Sequence, residues 1–424
     1  MTVVLISLLI GITLILVLQF WFGFSARPIV RALIQSQAVF WFLAFILRPL
    51  YLVVNQPTSP IYLGDTRLVS LGYSEVLTPV LVIIAVGQLA FLLTLILLRK
   101  KIINPKLPTE AVKDRFSGEA VSTAFFVWIA GLSLYLAGST ISSSSSPIFF
   151  LAACSGAGIL LVFYERQTSF KSALVLPVVF VSCVVLGVVS ASKAPVLAAL
   201  LAVFMRTLLS NSSKLSFRKI VAYVAGSLGT FLVIQPIKGI NTFFLVSEGS
   251  TDIGKLVSST QISILERFDG AIAVVDAYVA GQGSWLSPVQ YINRMLTMSL
   301  PRSLFGLGTD SPGQLWALEV RAQSNPIQRG VSLAVGPSAD GYIVLGWVGV
   351  ILFNVLLASF LVYACANFES LSPLKVVFFS VWIFGPQFFE QSLLNVASGF
   401  SRGIIICLAC WLWLILRRSW SHKL

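Results

Sequence analysis

Long apolar runs recur from one end of this chain to the other. Most are about 17–25 residues, the length that crosses a bilayer as a helix. That feature removes most folds. In lipid, every backbone N–H and C=O must find its partner inside the structure, so only helices and closed barrels span. Barrel strands alternate polar and apolar residues over roughly ten positions, and these runs do not alternate, so they read as helices. With 57% hydrophobic and 11% charged residues, the composition lies far from that of a soluble domain. The fold class expected is an all-α polytopic membrane protein.

Hydropathy places about eleven spans, near 3–24, 32–54, 76–98, 119–139, 148–164, 172–190, 194–210, 220–237, 336–364, 376–393 and 403–416. Residues 1–237 form an N-terminal bundle of about eight spans. Residues 238–335 form a large extracytoplasmic loop, and 336–424 a bundle of about three spans with a short tail. The connectors alternate in charge. One set holds Arg27 and Arg31; Arg99, Lys100, Lys101, Lys106, Lys113 and Arg115; Arg166 and Lys171; Lys214, Arg218 and Lys219; Lys375; and Arg417, Arg418 and Lys423. Apart from the long loop, the other set holds only Arg67, Lys193 and Arg402. Basic connectors stay in the cytoplasm, so the N-terminus is expected outside and the C-terminus inside. The same asymmetry accounts for the net charge of +13 without nucleic acid as a partner. The first run, Val3 to Phe24, has no basic residue ahead of it and continues into Arg27 and Arg31, so it reads as a retained span. All five cysteines fall within apolar runs. Cys407-Leu-Ala-Cys410 has redox or zinc spacing, but it lies in a span with no His beside it and reads as core.

The interruption at 238–335 keeps aromatic and aliphatic residues throughout, so it has apolar surface to bury and is expected to fold. Ile262 to Ala280 reads as an amphipathic helix, with Leu265, Ile272 and Val275 near one face and Asp269 and Asp276 on another. Ser287-Pro288 opens a second helix running to about Ser299. Asp310-Ser311-Pro312 caps a third, through Leu315 to Arg321. The expected result is a helical cap resting on the mouth of the bundle.

Charges inside or bordering spans cost roughly 2.5–3.5 kcal/mol each at a helix centre, so they mark either function or internal pairing. Arg48, Lys193, Lys238, Asp340, Glu390 and Arg402 belong to this group, all nearer the outer face. Guanidinium groups suit phosphate, and a cation cluster in the outer leaflet fits a phosphate-bearing lipid headgroup. The competing reading is that these cations pair with nearby acids. From Lys238 through Asp340 there are seven cations and eight acids, so the region has no net positive charge. The sole histidine, His422, lies in the tail, and the sequence carries no P-loop, GxGxxG or Cys/His cluster. No metal or cofactor is expected. Proton transfer on the outer face would fall to a carboxylate.

Short blocks then resemble a known family. Glu266-Arg267-Phe268-Asp269, Ser287 through Arg294, Leu300 through Gly306, Gly336-Pro337-Ser338 running into Gly341 and Gly346 through Gly349, Ser190 through Lys193, and Glu390 with Ser401-Arg402 occur in the order seen in the Wzy-type polymerases of bacterial polysaccharide synthesis. The similarity leans toward the branch that includes the enterobacterial common antigen polymerase. It covers the last 240 residues or so, and the first 180 match only as spans. Lys193 stands where the family more often has Arg, which makes it a point charge rather than a fork.

The resemblance implies a GT-C-like glycosyltransferase of the bacterial inner membrane. It would polymerise undecaprenyl-diphosphate-linked oligosaccharide repeat units, without a metal, and release polyprenyl diphosphate. Diphosphate binding would fall to Lys193, Lys238, Arg267 and Arg402, with Arg294 and Arg302 as further candidates. Asp269, Asp340 or Glu390 would orient or deprotonate the acceptor hydroxyl. Trp285, Trp316 and Tyr342 would stack on sugar or pack the cap. Membrane lipid, a chain-length regulator and a flippase are the implied partners. The rival readings are a ligase of the O-antigen ligase type and a transporter or flippase of lipid-linked oligosaccharide.

Overall fold

The computed structural model of the chain describes residues 2–56, 66–103, 119–141, 147–164, 170–190, 192–210, 221–223, 225–226, 229, 270–300, 312–321, 335–370, 372–385 and 392–421. Among the described residues every regular element is helical. In chain order they are α1 (Thr2–Gly23), then α2 (Pro28–Phe42), which runs through a π turn (Leu43–Leu47) into α3 (Arg48–Asn55). Next come α4 (Thr66–Leu71), α5 (Tyr73–Leu97), α6 (Arg99–Ile103), α7 (Glu119–Ile141), α8 (Pro147–Phe163), α9 (Phe170–Val189) and α10 (Ala194–Ser210). The later elements are α11 (Gly270–Ala280), α12 (Pro288–Met298), α13 (Pro312–Trp316) with a second π turn (Ala317–Arg321), α14 (Gly336–Phe368), α15 (Pro373–Ile383) and α16 (Leu393–Ser421). Proline opens several of these helices, where its missing N–H costs no hydrogen bond.

Among the described residues six helices are long and apolar enough to cross a membrane: Val3–Gly23, Pro28–Asn55, Tyr73–Leu97, Glu119–Gly138, Gly336–Phe368 and Leu393–Ser419. Shorter apolar helices stand at Pro147–Phe163, Leu174–Val189, Ala194–Ser210, Gly270–Ala280 and Pro373–Ile383. The polytopic helical class read from the sequence therefore holds. The span expected at 220–237 lies almost wholly outside the described residues.

The connectors of the basic set meet at one end of the bundle. Arg27, after α1, pairs with Glu369 at the end of α14, and its backbone N–H donates to the Ile102 carbonyl of α6 at 3.2 Å. Phe368 packs on Phe163 at the end of α8, with ring centroids 5.3 Å apart. Arg206 of α10 donates to the Tyr164 carbonyl at 2.7 Å. Arg418 of α16 reaches Glu119, the first residue of α7. Connectors that the charge alternation assigns to one side are thus on one side. Helix contact in lipid relies on close packing rather than hydrophobic drive. Accordingly α7 and α8 cross with Gly131 against the Ala152–Ala153 backbone and Gly156 against the Trp128 backbone.

Two features depart from the expected span list. The run expected as one span at 336–364 is broken. Gly346 takes φ 64° and ψ −143°, a conformation that side-chain-bearing residues avoid. Around it α14 doubles back. Asn354 donates to the Ser338 hydroxyl at 3.1 Å, Gly341 meets Gly349 backbone to backbone, and Tyr342 touches Trp347 edge to face. Those pairs are nested one inside the next around the turn that ends at Gly346, so residues 336–345 and 347–368 run antiparallel. The shorter arm is about 15 Å long, half a bilayer. Farther on, α15 ends at Ile383 and α16 already begins at Leu393. The outer segment expected before the last span is therefore helix, and Arg402 lies within it.

The expected amphipathic helix also changes character. Ile262 to Asp269 lie outside the described residues, and from Gly270 onward α11 is buried along its length, Ala271 through Ala277 without a break. It packs between α5 and α14. Tyr278 meets Tyr342, and the Gly283 N–H donates to the Ile343 carbonyl at 2.7 Å. A helix enclosed by protein on every side needs no solvated face. Part of the expected outer cap is therefore inserted among the spans. By contrast, α12 begins at Ser287 with a full capping box to Gln290, as its sequence indicates.

Candidate functional site

Three carboxylates of the inserted region each accept a hydrogen bond from an aromatic side chain. Asp276, on α11, is completely buried. It receives Trp316 Nε1 at 3.0 Å, Arg321 Nε at 2.9 Å and Arg67 Nη1 at 2.5 Å. Both arginines are buried as well. Their positions come from α4 and from the end of the second π turn. The first π turn also touches α11 and delivers buried Arg48 directly after it. Such turns re-aim side chains by one extra residue per turn and recur at functional sites. A carboxylate shared by two guanidiniums satisfies its own lone pairs, and burial strengthens the attraction.

The second carboxylate, Glu319, accepts Trp285 Nε1 at 2.6 Å and Arg294 through both Nη1 (2.7 Å) and Nη2 (3.2 Å). This is a forked, charge-assisted pair, half-exposed at its edge. Arg294 also lies over the Trp285 ring, 5.9 Å from its centroid. The third, Asp340, sits on the shorter arm of α14 and is completely buried. Its Oδ2 accepts the Tyr291 hydroxyl at 2.6 Å. The Ser392 hydroxyl and Leu393 amide, at the start of α16, face the same carboxylate. Burial pushes the Tyr291 phenol well above its ordinary range, and the neighbouring Asp340 pushes it the same way.

The aromatic donors form a row. Trp316 meets Trp285 edge to face at 5.2 Å, Trp285 meets Tyr291 at 6.2 Å, and Tyr291 meets Phe353 at 5.3 Å. One polar and aromatic seam therefore joins α11, α12, α13 and α14 at the end of the bundle opposite the Arg418–Glu119 contact. Trp316 is fully buried and Tyr342 nearly so, which favours packing over sugar stacking for both.

Several expected roles shift accordingly. Arg294, expected to bind diphosphate, is held by Glu319, and Arg321 is held by Asp276. The reading in which loop cations pair with loop acids is the one seen at both. Asp340, expected to act on an acceptor hydroxyl, is enclosed and bonded to Tyr291, which makes it a clamp between α12, α14 and α16. Lys193 lies at the turn between α9 and α10 with its ammonium nitrogen buried. Arg402 is half-buried inside α16. Lys238, Arg267, Asp269, Arg302 and Glu390 lie outside the described residues. Among the described residues no group of three His, Cys, Asp or Glu is placed to hold a metal ion.

Sequence reading did not single out the Arg67–Asp276–Arg321 centre. Two signals point to it. Asp276 is the one charged residue between Gly270 and Ala280, and Arg67 stands in a connector set nearly free of cations. Comparison with known protein families, characterised proteins and solved structures finds no match to this chain. Fold and seam together define a polytopic helical membrane protein with a re-entrant helical substructure built between its spans.

Proposed function

We propose that the chain is a membrane glycosyltransferase that polymerises undecaprenyl-diphosphate-linked oligosaccharide repeat units at the outer face of a bacterial inner membrane. One observation carries the reading: helices shorter than a full span are inserted at one end of the bundle, and Asp276 of α11 is held there by two buried arginines. In this reading the insertion lines a site for a lipid-borne diphosphate at headgroup depth. Plain spans with short loops would offer none.

In this reading Lys193, Lys238, Arg267 and Arg402 hold the diphosphate. The bond between the anomeric carbon and the diphosphate oxygen breaks, its electron pair leaves on phosphate, and fixed cations stabilise that charge. The acceptor hydroxyl forms the new bond and gives its proton to Asp269 or Glu390. Asp340 holds the cap in place. Arg267→Ala, Lys238→Ala and Asp269→Asn are each expected to shorten the surface polymer to single units while the protein accumulates normally. Unchanged long polymer in all three would sink the assignment.

The break at Gly346 favours a second reading. Discontinuous helices whose ends meet inside the bilayer are a device of transporters. Deleting a flippase strands single lipid-linked units on the inner leaflet, whereas deleting a polymerase leaves them on the outer one. The leaflet on which units accumulate decides between the two. A ligase of the O-antigen ligase type would instead leave finished polymer on its lipid carrier.

A further inference from the structure

The surface of α12 divides into three faces. Tyr291 and Met298 point into the protein and are buried. Gln290, Asn293 and Thr297 form a polar strip beside them. Val289, Ile292 and Leu296 form a third strip and are 68%, 56% and 62% exposed. Leu300, one turn past Leu296, is exposed as well. The spacing i, i+3, i+7 keeps the apolar three on one side of a helix. Exposed apolar residues placed singly need no explanation, but a strip along a whole helix does.

We propose that α12 lies along the outer lipid–water interface, with Val289, Ile292 and Leu296 among the acyl chains and the polar strip toward water. Two observations select lipid as the occupant. First, α12 packs on α14 and α16 at the end of the bundle opposite the Arg418–Glu119 contact. Just past the turn at Gly346, α14 exposes Trp347, Val348, Ile351 and Leu352. Exposed apolar side chains therefore stand on both α12 and the neighbouring arm of α14. Second, the division into protein, water and apolar faces is the pattern of a helix held at an interface. A helix in water has no use for the third face, and a spanning helix has none for the second. Because Tyr291 bonds to Asp340 from the opposite side of α12, the depth of this helix in the leaflet is coupled to the shorter arm of α14.

Single cysteines at 289, 292, 296 and 293, each carrying a nitroxide, test this in the full-length protein reconstituted in phosphatidylethanolamine–phosphatidylglycerol vesicles. The native cysteines are buried or half-buried, and labelling of the unsubstituted protein sets the background. Collision with oxygen, which concentrates in lipid, is expected to dominate at 289, 292 and 296. Collision with a water-soluble nickel chelate is expected to dominate at 293. Dominance of nickel at all four positions would place α12 in water and overturn the proposal. Shielding of 289, 292 and 296 from both agents would assign the strip to a second copy or another segment of this chain, and would overturn it equally. Elution of each labelled variant at the volume of the parent protein establishes that the fold is intact.

Discussion

Asp276 and Arg67 are separated by 209 residues, yet they share the shortest charged contact of the seam, at 2.5 Å. No local pattern links them, so neither partner is legible from the other. What is legible is the anomaly of each: a lone acid in an apolar helix and a lone cation in an acid-side connector. Arg294 shows the opposite case. Its type and place fit phosphate binding, and only Glu319, folded back onto it from 25 residues away, redirects it. Asp276→Ala removes the carboxylate both guanidiniums share and is expected to cost about 3–5 kcal/mol, the range for breaking a buried ion pair. Replacing all three charges together, with Arg67→Met, Asp276→Leu and Arg321→Met, is expected to restore much of that, because apolar groups of similar volume need no counter-charge. Thermal unfolding in detergent measures both. A single variant that unfolds at the parent temperature would show that the centre does not hold the inserted helices.

Helix α14 shows where hydropathy stops being informative. Its residues are apolar on both sides of Gly346, so the sequence reads as one long span, and nothing in a running average records a reversal. The glycine itself is the only local sign, and glycine is common in membrane helices. The same limit explains α11. Periodicity places Asp276 on a polar face, but a partner helix beyond that face turns it inward. The elements with local signals, such as the Ser287 capping box and the proline-opened helices, stand where the sequence puts them. Gly346→Ala is expected to cost about 1–3 kcal/mol through backbone strain alone. The clash of the new methyl with Gln282 adds to this. Adding Gln282→Ala is expected to relieve the clash and leave the strain, so the double variant should unfold between the single variant and the parent. Equal stability of all three would mean that the reversal at Gly346 is absent.

Across the whole molecule, the charge alternation anticipates which connectors share an end. Arg27 contacts Ile102 and Glu369, Phe163 meets Phe368, and Arg418 reaches Glu119. The abundance of Lys and Arg at that end is the ground for expecting it to face the cytoplasm. A fluorescent protein that folds only in the cytoplasm is therefore expected to be bright when fused after Leu424, and alkaline phosphatase fused there inactive. The reverse result would invert the molecule and move the inserted region to the inner leaflet. The class of the bundle could be read from its composition, but its depth structure could not, because that depends on which apolar residues face protein and which face lipid.

The reversal at Gly346 also bears on how the protein is made. Membrane insertion reads hydropathy before any helix has neighbours, and the stretch from Gly336 to Phe368 presents one continuous apolar signal. The finished fold splits it: residues 337–344 are enclosed by protein, while the longer arm leaves Val348, Ile351 and Leu356 exposed. The shorter arm has to leave lipid and fold back once α5 and α11 are there to receive it. Assembly of the outer half of this bundle is thus a step after insertion, and its timing depends on helices made earlier in the chain.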